Sequence, residues 1–353
     1  MPFPHTARNR ADSSVANLIA KVLAGSWRSP APSLEVTQDE LLLSIPLLLR
    51  SGAGGLGWRR VSASGHSTTE ASQQLQQAYR LHALQALGHE RDIKRVLTLL
   101  RRDGIEPILV KGWSIARLYP EPGLRPYGDI DLCVRPDDFA RTKTLLRKAE
   151  GETHDVDLHR GFQTFGYESW WDLNARSALL EIDGIPVRVL SPEDHLRLIC
   201  FHFLREGAWR PLWLCDIAVA LETRPHDFDW ELCLGRGLKR RHWFTCAILL
   251  AHYLVEASLE CVPALITSKQ PPRWLIPAML REWNAPTMPL RHVMPMSRAL
   301  QVPRNTLKGL RARWPSPIEA TIGVRGSFNE MPRLPFQLGH CLGRAAKYFL
   351  ASA

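Results

Sequence analysis

Apolar residues along the chain change their spacing twice, and the changes divide it into three stretches. Thr37 to Arg50 (TQDELLLSIPLLLR) reads as a short helix: Thr37 can cap it, Glu40 stands at the capping-box spacing, and Pro46 should kink or end it. Ser51 to Ser67 is rich in Gly and Ser and reads as a loop. From Ala71 to Arg102, the residues Leu75, Tyr79, His82, Ala86, Ile93, Val96, Leu97 and Leu100 fall near one face by three- and four-residue steps, which predicts a long helix stopped by Gly104.

The spacing then shortens. Pro107 to Val110 is a brief apolar run ending at Lys111-Gly112, a buried strand, and Trp113 to Tyr119 can make two helical turns. Pro120 to Gly128 reads as a loop. Ile130, Leu132 and Val134 alternate with Asp129, Asp131 and Cys133, which predicts a strand with one polar face. Asp137 to Glu150 is a helix, His154 to His159 alternates again, and Leu179–Ile182 with Val187–Leu190 form a hairpin through Asp183-Gly184. Beyond Ser191-Pro192-Glu193-Asp194, a strong helix start, helices are expected over 192–206, 209–222, 228–237, 241–258 and 336–352, with a proline-broken stretch after Cys261.

The expected fold class is therefore α+β: a small mixed sheet near 105–190 flanked by helices, with a mostly helical C-terminal half. The expected division is a mobile segment over 1–34, a core with N-terminal helices over 35–190, and a helical domain over 191–353. Composition narrows this little. The 353 residues are 45% hydrophobic and 23% charged, ordinary for a globular chain. No apolar run is long enough for a transmembrane helix, and the start lacks the apolar core of a secretory signal. Seven widely spaced cysteines without a CxxC favour neither disulfides nor zinc, and fit a reducing cytoplasm. The net charge is +10, and residues 291–353 hold ten Lys/Arg against two Asp/Glu. RNA is a candidate partner for that region, although its arginines are spread among apolar residues such as Leu310, Trp314, Ile318 and Leu334 instead of forming a stripe.

The chemistry concentrates at Gly128-Asp129-Ile130-Asp131. Aspartates two apart on a strand share a face, with Cα atoms about 6.5 Å apart, so their carboxylates can converge on divalent metal ions. Alone, the pair reads equally as a solvated sheet face. Upstream, Lys111-Gly112 ends a strand in a glycine turn, where backbone N–H groups and a lysine suit phosphates. Downstream, Asp155 and Asp157 share a second strand face, and either can supply a third carboxylate.

Together these motifs resemble the nucleotidyltransferase superfamily of the DNA polymerase beta-like fold. Within it the chain is similar to the bacterial subfamily of uncharacterised nucleotidyltransferases. The resemblance rests on Lys111-Gly112, on Arg125-Pro126-Tyr127-Gly128-Asp129-Ile130-Asp131 and on Asp157-Leu158-His159. It continues through Ser191 to Asp194, His202 and Asp216, covering about 85–245. The chain departs from the superfamily in having Gly112-Trp113, with Ser114 one place later, where Gly-Ser is usual. Its third acid is an Asp where many relatives have Glu.

The resemblance implies transfer of a nucleoside monophosphate from an NTP, with ATP the expected donor, to a hydroxyl of a small molecule, sugar or peptide. It implies Mg2+, or Mn2+ in its place, held by Asp129, Asp131 and Asp157. Nucleotide binding would fall to Lys111, Gly112, Ser114, Arg125 and Gly128, with His159 and Asp155 near the acceptor. Asp157 is preferred to Asp155 because His159 follows it. His202 and Asp216 are expected to join neighbouring helices by a hydrogen bond, and Trp170, Trp171, Trp209 and Trp213 to pack or to wall a nucleobase. Three other readings compete: an RNA-modifying nucleotidyltransferase, a non-catalytic nucleotide-binding regulator, and a glycosyltransferase. The largely helical residues 1–104 disfavour the last.

Overall fold

The computed structural model describes residues 15–64, 69–149, 156–161, 169–285 and 314–352. Four helices come first: α1 (Val15–Leu23), α2 (Gln38–Arg50), α3 (Gly54–Ala63) and α4 (Glu70–Arg102). Next come β1 (Ile108–Leu109), α5 (Trp113–Ala116), β2 (Ile130–Val134), α6 (Phe139–Lys148) and β3 (Val156–Arg160). These are followed by α7 (Trp170–Arg176), β4 (Ala178–Ile182) and β5 (Ile185–Val189). The remaining described residues form α8 (Pro192–Arg205), α9 (Pro211–Glu222), α10 (Trp230–Leu234), α11 (Leu238–Val255), α12 (Ala264–Thr267), α13 (Leu275–Trp283), α14 (Pro317–Gly323) and α15 (Leu334–Ser352).

The class is α+β, as expected, and the sheet is mixed in the order β3-β2-β1-β5-β4. β1 runs antiparallel to β2 and parallel to β5; β2 and β3 are parallel; β4 and β5 form the hairpin. One sheet face packs Leu109, Ile130, Leu132, Val134, Val187 and Val189 against Ile93, Val96, Leu97 and Leu100 of α4. The other packs Ile108, Val110 and Cys133 with Trp170, Leu173, Leu190 and Leu198. β2 is thus buried along its whole length, and the face expected to be polar is covered by α7 and α8. Asp129, the residue just before β2, is exposed.

A larger helical core joins residues from α1 to α4 with residues from α8, α9, α11, α13 and α14, so it draws on both sides of residue 190. Residues 15–34 also contribute: Ile19, Leu23, Trp27 and Leu34 are buried in it. The helix at Gly54–Ala63 replaces the loop expected over 51–67. Its glycines serve close packing: a Cβ on Gly55 would come within 2.4 Å of the Gly123 carbonyl oxygen. α2 keeps its capping box, Thr37 with Glu40, and runs through Pro46 without breaking. Trp113 begins a single helical turn, not two. The 291–313 part of the basic region lies outside the described residues.

Candidate functional site

Strand register assembles the site. β2 and β3 pair Asp131 with Asp157 and Cys133 with His159, so Asp131, Asp157 and His159 emerge on one sheet face. His159 Nε2 lies 3.2 Å from Asp131 Oδ1 and 3.3 Å from Asp157 Oδ2. One donor atom from each of the three residues lies within 4.8 Å of the others. Asp131 is 2% exposed, while Asp157 stands at the rim. Two carboxylates and an imidazole on a rigid strand pair are a donor set that fits a divalent ion.

Lys111 arrives from the opposite side. β1 lies beside β2, and the Val110 N–H donates to the Asp131 carbonyl at 3.1 Å, which brings the following lysine into an ion pair with Asp131 Oδ1. Burial pushes the Asp131 carboxyl upward, but the His159 hydrogen bond and the Lys111 charge outweigh it, and its pKa falls below the ordinary value. Gly112 makes this turn possible. Its φ is +55°, and a Cβ there would sit 3.3 Å from the Asp129 carbonyl oxygen.

A cavity of about 500 Å3 opens beside these groups, lined in part by Lys111, Gly112, Tyr127, Gly128, Asp129 and Asp131. The volume lies in the range of small-ligand sites. Its far wall comes from the helical body: Arg50, His82, His202, Arg210 and Trp213. A larger open cleft, about 1560 Å3, lies among α7, α8, α10, α11 and α14, but none of the residues singled out from the sequence as site residues lines it. Chemistry, not size, therefore locates the site.

The candidates divide. Asp129 is exposed and lines the cavity but stands outside the Asp131–Asp157–His159 cluster. Gly128 is exposed, and a Cβ there would meet nothing. Ser114 is buried and donates its hydroxyl to the Leu109 carbonyl at 2.8 Å, so it braces the turn from behind. Asp155 lies outside the described residues.

Arg125 is also committed. It grips Asp216 through Nη2–Oδ2 at 3.0 Å and Nε–Oδ1 at 3.2 Å, and Tyr119 adds a 2.8 Å hydrogen bond to Oδ1. The expected His202–Asp216 hydrogen bond is not made, because Arg125 and Tyr119 take that carboxylate. His202 instead meets Trp213 edge-on at 4.6 Å, with Nδ1 buried and unmatched. Burial first, then the charges of Lys111 and Arg205, lower its pKa to about 3, so it faces the cavity as a neutral imidazole.

Arg210 is the residue that sequence reasoning missed. It lies at the start of α9, its Nε donates to the Ser51 carbonyl at 2.6 Å, and its guanidinium lies 5.5 Å from the Trp213 ring centre. Among the described residues no carboxylate forms an ion pair with it. Burial and Arg125 lower its pKa to about 10, which leaves it a cation. The only signal in the chain is Trp209-Arg210-Pro211-Leu212-Trp213, a helix start with two tryptophans beside an arginine, far from the aspartates in sequence.

All seven cysteines are unpaired, and five are buried. Among the described residues no helix is long and apolar enough to cross a membrane. A family model described as "Uncharacterised nucleotidyltransferase" matches residues 45–257, a span that contains every group of the site. No curated protein and no solved structure matches the chain.

Proposed function

Because the chain belongs to the uncharacterised nucleotidyltransferase family, we propose that it moves a nucleoside monophosphate from an NTP to a hydroxyl of a small molecule, sugar or peptide. The observation that carries this reading is the convergence of Asp131 with Asp157, His159 and Lys111, beside a nucleotide-sized cavity that Lys111, Asp129, Asp131 and Arg210 help to line. A divalent ion held by the aspartates would neutralise triphosphate charge as it shifts to the leaving pyrophosphate. Asp129, exposed where it lines the cavity, would add a carboxylate when nucleotide enters.

The chain's own residues account for the remaining work. Lys111, released from Asp131 by a competing phosphate, binds the triphosphate, with Arg210 across the cavity as its second cationic contact. Trp213 offers a ring face or edge to the base. Asp157, half-exposed at the rim, orients the acceptor hydroxyl and takes its proton. The acceptor oxygen bonds to the α-phosphorus as the bond to the β-phosphate oxygen breaks, and pyrophosphate leaves. Positioning and charge neutralisation supply most of the acceleration.

ATP is our first choice of donor. A small acceptor is our choice over RNA because, in the described part of the basic region, Arg333 is turned inward and, of the Lys and Arg residues, only Arg325, Arg344 and Lys347 are exposed. Arg333 donates to the Met331 and Ser327 carbonyls and stacks on Trp274 and Phe336. The unpaired cysteines support a reducing, cytoplasmic setting. The test is incubation of the protein with each α-labelled NTP and a cell extract, beside an Asp131→Asn control. Label should move to a small metabolite or peptide with wild type only. Label appearing in RNA would change the acceptor, and no transfer from any NTP with either Mg2+ or Mn2+ would refute the proposal.

A further inference from the structure

The parallel pairing of β2 and β3 sets an imidazole, not a third carboxylate, between two aspartates. His159 Nε2 is nearly equidistant from an oxygen of each, 3.2 Å and 3.3 Å away. A single ring N–H can be directed at only one of them. These separations match another arrangement. Donor atoms bound to one ion at about 2.1 Å and at right angles lie about 3.0 Å apart, so each aspartate oxygen stands close to the spacing of a neighbouring ligand from His159 Nε2, and all three donors lie within 4.8 Å of one another. The side chain is 14% exposed and held on a strand, so its position needs little reorganisation.

We propose that His159 is a direct ligand, through Nε2, of the divalent ion at this site, and that the nitrogen shifts the ion preference from Mg2+ toward a first-row transition ion, Mn2+ foremost. The inference rests on the metal-dependent reading above but specifies which atoms bind and which ion. Mg2+ favours oxygen donors and near-ideal octahedral geometry. Imidazole strengthens binding along the first transition series, while two carboxylates keep the site hard enough for Mn2+, the most oxygen-tolerant ion of that series. The Lys111 ammonium on the same Asp131 oxygen shows that this position attracts cations.

The test uses the full chain with Mn2+, with and without a non-hydrolysable NTP analogue, followed by electron spin echo envelope modulation. Wild type should show a directly bound imidazole nitrogen, and His159→Ala should lose it. His159→Asp, which supplies a carboxylate instead, should bind Mn2+ without nitrogen coupling. Mg2+ should then displace Mn2+ from it at a concentration roughly ten-fold lower than from wild type. Thermal melting of both variants checks that they fold. Mn2+-dependent analogue binding without nitrogen coupling, or coupling that survives in both variants, would overturn the ligand assignment and leave nucleotidyl transfer standing. Equal Mg2+ competition in wild type and His159→Asp would overturn the preference. Absence of analogue binding with either ion would sink the parent reading and this one together.

Discussion

Asp131 gathers most of the site's electrostatics onto one side chain, because it is buried, meets Lys111 and His159, and lies in register with Asp157. Asp131→Asn should leave the fold intact but abolish metal-dependent NTP binding, which calorimetry with Mn2+ and a non-hydrolysable analogue would read. Arg210→Gln should weaken the same binding roughly ten- to hundred-fold, the value of a hydrogen bond to a charged group, without changing metal affinity measured alone. Arg125 and Asp216 should behave differently. Both are buried, so Asp216→Ala strands a guanidinium and should cost about 3–5 kcal/mol in urea unfolding. The Asp-x-Asp spacing and the later Asp-Leu-His were readable in the chain because strand periodicity fixes which side chains share a face. Arg125's partner and the role of Arg210 were not, because contacts between a loop and a helix some ninety residues later leave no local pattern.

At the scale of elements, the turn after β1 is the most sensitive part. Gly112→Ala forces a side chain into a positive-φ position close to the Asp129 carbonyl, so it should lower the melting temperature and displace Lys111. Gly128→Ala meets open space and should be tolerated. Comparing the two by thermal unfolding and NTP affinity separates a glycine required by backbone shape from one that is merely exposed. Helix caps and the hairpin turn were legible in the sequence: Thr37 with Glu40, Ser191 before Pro192, and Asp183-Gly184. The helix at Gly54–Ala63 was not, because glycines that let two segments approach closely look the same in sequence as glycines that make a loop.

Across the whole molecule, burial makes the protein acid-sensitive. His195 and His202 are pushed to about 3, in each case first by burial and then by neighbouring cations, Arg117 and Arg125 for His195. The unfolded chain takes up these protons near pH 6.5, whereas the folded chain refuses them until about 3, so stability falls as pH drops below about 6.5. Between pH 6.5 and 5, His195 alone should remove about 2 kcal/mol. Urea unfolding of wild type and His195→Gln at both pH values would show whether the variant's loss is smaller. The arrangement of the cores also affects folding in time. α1 packs on α9, α11 and α13, and one apolar core joins Ala16–Leu75 to Leu196–Trp283, with the sheet-forming segment between them in the chain. During synthesis the first three helices can pack on one another and on α4, but α1 emerges before the α9, α11 and α13 surfaces it covers. Roughly 120 residues separate Leu75 from Leu196, a wait on the order of ten seconds on the ribosome. For that interval the side of α1 that ends against α9, α11 and α13 lacks its final partners, so the nascent chain should aggregate more readily than the finished protein.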